Sequence, residues 1–307
     1  MVENLLKSRQ VRQFIQWLKQ TSFLRGTVSL YDILINIVRS NRKFDIDQRA
    51  SAVAYNFTLA SFPAVIFLFT LIPYIPVADL DKQIMELLRD IIPQGIYKEV
   101  NHTILDIVSR PRKGILSLGF IFAMIASTNG MMSLMKSFDM IFGERTGRGF
   151  LKTRAVATML TLLLVAVIFV SVILLVVGDA VMSFVSNWSI IKDSTLIVIL
   201  NVSRYAVSFG AMMLAISLIY RFAPTNGRDF SFVNAGAMVA TILILVSTFG
   251  FSFYLSNFSS YNKLYGSIGT LIALMIWLYL LAFLLILGFE INASISTEKN
   301  KVRKAAH

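Results

Sequence analysis

The chain has 307 residues, 56% of them hydrophobic and 15% charged, with a mean hydropathy of +0.70. A water-soluble domain carries roughly 25% charged residues to coat its surface, so this composition excludes an ordinary soluble enzyme and points to a bilayer-embedded bundle. There is no Cys, which excludes disulfides and thiolate metal sites, and His102 and His307 are the two imidazoles. The formal net charge of +12 reads as Lys and Arg enrichment on cytoplasmic loops, not as a nucleic-acid interface.

The first 49 residues are polar and basic, with no apolar stretch ahead of a small-residue cleavage site, so no cleavable signal peptide is expected. Within them Leu5, Leu6, Phe14, Trp17 and Leu18 interleave with Lys7, Arg9, Arg12 and Lys19. That is the pattern of a basic amphipathic helix lying on anionic lipid headgroups. The apolar run 28–38 is too short to span.

A span needs about 20 apolar residues to cross a hydrocarbon core of about 30 Å. Six stretches qualify, at 51–75, 114–138, 155–178, 195–220, 232–256 and 267–291. The fold class is therefore all-α, a polytopic membrane protein with six transmembrane helices. It divides into a basic amphipathic N-terminal segment 1–49, a six-span domain 50–296 and a basic tail 297–307. The 76–113 connection between spans one and two carries Ile84, Leu87, Leu88 and Ile91, then Ile96, Val100, Ile104 and Ile107, at helical spacing. It reads as two short amphipathic helices on the outer surface, serving as a structural cap or a substrate gate.

Orientation follows from the loops. Nineteen Lys and Arg fall on the side of the termini, the 2–3 loop and the 4–5 turn, against eight on the other side. The positive-inside rule then places both termini in the cytoplasm. Arg110, Arg112 and Lys113 run against this bias on the outer side.

Ionisable groups in the hydrocarbon cost about 2.5–3.5 kcal/mol each on insertion scales, so they are functional candidates by default. Arg204, flanked by Asn201, lies inside span four, about 13 Å along the helix from its outer end. It is expected to face the bundle interior and contact an anionic substrate, or to make a buried structural contact. Lys136 and Asp139 share a helical face at i,i+3, and their structural reading is an interfacial pair. Glu290 lies near the inner end of span six, where it contacts substrate or pairs with the 2–3 loop or Arg221. Pro63 interrupts span one beside Tyr55 and Asn56, a kink next to a polar face of the kind that lines transporter cavities. Asn129 sits in a polar patch, 127–130, at mid-depth of span two, the usual place for interhelical hydrogen bonds. Gly236 and Ala240 at i,i+4 permit close helix approach, as do Gly266 and Thr270, and Tyr254, Tyr261 and Tyr265 suit an outer aromatic belt. There is no phosphate-binding G-x-x-x-x-G-K-[ST] loop, hence no ATP-driven pump in this chain, and His102 with Asp106 is too few ligands for a hydrolytic metal site. No cofactor is expected.

Three segments also resemble a known family. The run RASAVAYNFTLASFP at 49–63 resembles the opening signature of the YihY/BrkB family, and YRFAP at 220–224 resembles that family's turn between spans four and five. Tyr265, Gly266 and Gly269, then Trp277 and Tyr279, then Gly288, Glu290, Asn292 and Ala293 resemble its C-terminal signature. The resemblance covers residues 30–298 and implies a bacterial inner-membrane protein with six spans. Family members have been called ribonuclease BN, serum-resistance factors and transporter candidates; the ribonuclease name is regarded as mistaken, and no catalytic residues carry over. The 143–147 loop departs from the family pattern.

Two functions remain open on these grounds. One is a transporter-like protein for an amphipathic or anionic compound, lipid included, with spans one, four and six lining a cavity. The other is a non-transporting envelope scaffold. Ribonuclease activity is not expected, because a nuclease needs a wet groove for a polyanion. The expected partners are anionic lipid headgroups, with no nucleic acid.

Overall fold

The computed structural model describes residues 45–74, 113–141, 148–187, 194–225, 230–231, 234–257 and 259–305, with the pieces 16, 22–23 and 28–29. Over 171–187 and 194–201, at 204 and over most of 256–270 it describes the backbone alone. The amphipathic segments expected at 3–19 and 76–113, the 143–147 loop and both histidines lie outside the described residues.

Six helices follow one another, α1 Ile46–Leu71, α2 Lys113–Ile141, α3 Phe150–Asn187, α4 Ser194–Phe222, α5 Ala235–Asn257 and α6 Ser259–Ala305. Each contains a stretch long and apolar enough to cross a membrane, and each overlaps one of the six expected spans. The shortest, α5, has 23 residues, about 34 Å at 1.5 Å per residue. The longest, α6, has 47 and must project beyond the hydrocarbon. An antiparallel ladder of two residues per strand, β1 (Ser22–Phe23) with β2 (Val28–Ser29), is the departure from all-helical structure among the described residues. Helix α1 enters through Asp45 at φ 34°, a left-handed conformation that Asp tolerates better than most residues. It then runs unbroken through Pro63.

The principal contacts make a ring. Each helix packs on its neighbours in the chain, α6 closes back on α1, and α6 also touches α2. Among the described side chains, burial is concentrated at one end of this ring. The core residues are Ile46, Ala50 and Val53 at the start of α1, Met131 to Phe138 late in α2, Ala157 and Leu160 early in α3, Ala215 to Tyr220 late in α4, Ala237 to Ile244 early in α5, and Ala282 to Phe289 in α6. In an up-and-down bundle these positions lie at one end, the end that carries Arg148, Lys152 and Arg221. We call it the basic end. Toward the far end large apolar side chains are exposed, among them Phe62, Leu68, Phe122, Phe169, Phe249 and Phe253. Helices α1 and α2 stay in contact well into that half, where Phe67 packs obliquely on Phe120 at 5.5 Å.

Small residues set the closest approach at the basic end. A Cβ on Gly236 would lie 2.0 Å from the carbonyl oxygen of Gly288, and one on Gly288 would lie 2.7 Å from the Cβ of Ala240. The close approach expected from Gly236 and Ala240 is thus made, between α5 and α6. The side chains of Thr270, Tyr261 and Tyr265 lie outside the described residues. Tyr254 is exposed as an aromatic belt requires and stacks on Phe251.

Candidate functional site

The basic end holds Glu290, Lys136 and Asp139 of the polar groups that the sequence singles out, and it arranges them in a way their spacing does not show. Arg49, in the first turn of α1, points into the bundle. Its Nη2 donates to Glu290 Oε1 on α6 at 2.5 Å, and its Nη1 donates to the carbonyl of Ser137 on α2 at 2.9 Å. Both partners are buried, Arg49 at 6% exposure and Glu290 at 1%. This is the one salt bridge among the described residues. One turn of α1, α2 and α6 is thereby tied together by a charged clasp.

A low-dielectric site makes such a clasp strong and unforgiving. Desolvating the two charges costs several kcal/mol each, and their attraction offsets this only while both are present. The satisfaction is incomplete, because Arg49 Nε is buried without a hydrogen-bond partner. Asp47, two residues earlier, accepts a hydrogen bond from the Tyr279 hydroxyl, also on α6. Tyr279 and Glu290 are eleven residues apart, about 16 Å along the helix, so the start of α1 reaches α6 at two levels.

Beside the clasp stands an aromatic cluster. Phe138 of α2 stacks on Phe289 of α6 at 4.1 Å, and Tyr220 of α4 meets both edge-on at 5.6 and 5.5 Å. Phe230, just before α5, also meets Phe289 edge-on at 5.7 Å. The buried Tyr220 hydroxyl donates to the Leu285 carbonyl at 2.7 Å. Four segments therefore fill the middle of the ring at this end.

Further polar bonds lock the turn between α4 and α5. Asp139 accepts from the Thr225 amide at 2.7 Å and from its hydroxyl at 3.1 Å. Arg148 donates to the carbonyls of Phe222, Ala223 and Pro224, the last at 2.8 Å, capping the exposed end of α4. Asn292 accepts from the Gly236 amide at 2.8 Å and donates to Asn234 Oδ1 at 2.6 Å, so it bonds α6 to the start of α5.

The expected site residues divide accordingly. Glu290 is buried, and its ion pair is with Arg49 rather than with the 2–3 loop or Arg221, the partners its position suggests. The family-signature segments hold Arg49, Tyr220 and Glu290, so their convergence was the available signal. The interfacial pair of Lys136 with Asp139 is not formed. Asp139 turns inward to Thr225, where its lone pairs are satisfied, while Lys136 is exposed. Asn129 makes the interhelical bond expected of it, accepting from Arg154 Nη1 of α3 at 2.6 Å. Asn56 donates to the Ala52 carbonyl of its own helix at 2.8 Å, and Tyr55 is exposed. The side chains of Arg204 and Asn201 lie outside the described residues. No group of three or more His, Cys, Asp or Glu suited to a metal occurs among the described residues.

The profile of the family "Virulence factor BrkB" matches residues 37–307. The ribonuclease-like protein YfkH of Bacillus subtilis is 34% identical over 252 residues, 82% of this chain and 90% of that one. A UPF0761 membrane protein of Pseudoalteromonas translucida is 33% identical over 90 residues, 29% of this chain and 30% of its own length. One of Photobacterium profundum is 38% identical over 81 residues, 26% of this chain and 25% of its own. No solved structure matches. With six membrane-spanning helices and a family profile along nearly its whole described bundle, the chain belongs to the BrkB family of bacterial membrane proteins.

Proposed function

We propose that this chain is a transporter-like protein of the bacterial inner membrane, without an energy source of its own. It would carry an amphipathic or anionic compound, lipid among the candidates, and the Arg49–Glu290 clasp would be the closure of its pathway at the cytoplasmic end. By the positive-inside rule the basic end would face the cytoplasm.

The observation that carries this reading is the clasp itself. A buried ion pair is a poor device for stability alone, since an apolar pair of equal volume does as well. It suits a contact that must be made and broken. The ring is plugged at that end by Phe138, Tyr220 and Phe289, and any passage along its axis would require α1 and α6 to part there. Arg204 and Asn201, on the far half of α4, are the proposed contacts for an anionic group. Tyr55, Asn56 and Pro63 on α1 are the proposed lining opposite. Catalysis is not part of the proposal: Asp47, Asp139 and Glu290 at the basic end are each engaged by a different partner rather than grouped.

The second reading is a non-transporting scaffold, favoured by the solid packing of the inner half. One experiment separates them. A deletion strain is profiled for lipids and metabolites, then complemented with wild type, Arg204→Ala and the double variant R49M/E290M. Transport predicts that wild type restores the profile while the folded double variant and Arg204→Ala do not. Full restoration by both variants would leave the scaffold reading in place.

A further inference from the structure

On the outside of the ring, the seam between α2 and α3 carries charge where lipid should lie. The exposed stripe of α2 runs through Phe122, Ile125, Asn129, Lys136 and Met140, positions three, four and seven apart that share one helical face. From α3, Arg154 crosses the seam to this stripe. Its Nη1 donates to Asn129 Oδ1 at 2.6 Å and touches Met132 Sδ at 3.7 Å. Lys136 follows Met132 by four residues, one turn nearer the basic end.

Neither cation has an acidic partner among the described residues, where the one ion pair is Arg49 with Glu290. Both stand about one turn inside the ends of their helices, at Ile141 and Phe150. The side chains beyond them, Met140, Phe150 and Leu151, are exposed and apolar, and Leu151 reaches 81% exposure. Two unpaired cations in such surroundings need a counter-charge that arrives with an apolar body attached. Asn129, its oxygen taken by Arg154, keeps its amide N–H groups for an acceptor.

We propose that this seam is a binding site for the phosphate of an anionic membrane lipid. Arg154 and Lys136 flank the phosphate, Asn129 donates to it, and the acyl chains run toward the far end along Phe122 and Ile125 of α2 and Leu162 of α3, all exposed. A phosphate diester accepts several charge-assisted hydrogen bonds, and the guanidinium fork suits it geometrically. The inference stands apart from transport, because the site faces outward from the ring.

The test is native mass spectrometry of the detergent-purified full chain with added phosphatidylglycerol or phosphatidylcholine. Wild type should retain phosphatidylglycerol in preference to phosphatidylcholine. K136Q, which removes an exposed side chain with no acidic partner among the described residues, should weaken phosphatidylglycerol binding about fivefold, and K136Q/R154Q should bring it close to the phosphatidylcholine level. K299Q, which removes an exposed cation on α6, should change little, and excess inorganic phosphate should not displace the lipid. Equal retention by wild type and K136Q, a loss in K299Q as large as in K136Q, or displacement by free phosphate would each overturn the proposal.

Discussion

At the scale of single residues, the controlling fact is that Arg49 and Glu290 form an ion pair buried from solvent. Removing one leaves the other charged and buried, so R49A should lower stability by about 3–5 kcal/mol. R49M/E290M keeps volume and removes both charges, and it should unfold near the wild-type temperature. Thermal unfolding of the purified variants in one detergent checks both statements. If R49A and R49M/E290M melt together, the pair is not electrostatically coupled. Glu290 was conspicuous in the sequence because an acid in a span is expensive. Arg49 was not, because it stands among eight other basic residues preceding the first span, and charge counting cannot distinguish the one that turns inward.

At the scale of elements, two features fix how helices meet. Arg148 satisfies three carbonyls at the end of α4 with one guanidinium. R148A should therefore raise amide exchange across 219–225, and the cost should be about 1.5–3 kcal/mol, as for hydrogen bonds to a charged donor. R148K should recover little, since a single ammonium cannot reproduce the fork. The α5–α6 crossing depends on Gly236, where a methyl group would meet backbone at 2.0 Å. G236A should cost at least about 1–3 kcal/mol by forcing the helices apart. Gly210, with nothing within 4 Å of its missing Cβ, is the contrast: G210A should be neutral or stabilising by about 0.5–1 kcal/mol, because Ala restricts the unfolded chain. Melting temperatures of the two variants should move in opposite directions. The tolerance for small residues at Gly236 and Ala240 could be read from their i,i+4 spacing, but their partner, Gly288, could not.

At the scale of the whole molecule, the bundle is tied at the basic end and exposes apolar surface toward the other. The orientation can be tested directly, because the chain contains no cysteine and any introduced one is unique. K152C, at an exposed position in the first turn of α3, should react with a membrane-impermeant maleimide only after cells are permeabilised. L255C, near the end of α5, should react in intact cells; the reverse pattern would invert the topology. The number of spans, their approximate limits and the all-helical class were determined by the sequence itself, since a bilayer selects for local runs of apolar residues and each run reports independently of the others. Polar and ionisable residues inside or at the ends of apolar runs likewise marked Glu290, Asn129 and Lys136 as candidates. What faces what was decided only by tertiary structure. Arg49 meets Glu290 across 241 positions of chain, and Asp139 abandons Lys136 on its own helix for Thr225 on another. Spacing along one helix fixes which side chains share a face, but the direction of that face depends on the neighbours it packs against in the ring, where burial and hydrogen bonding compete.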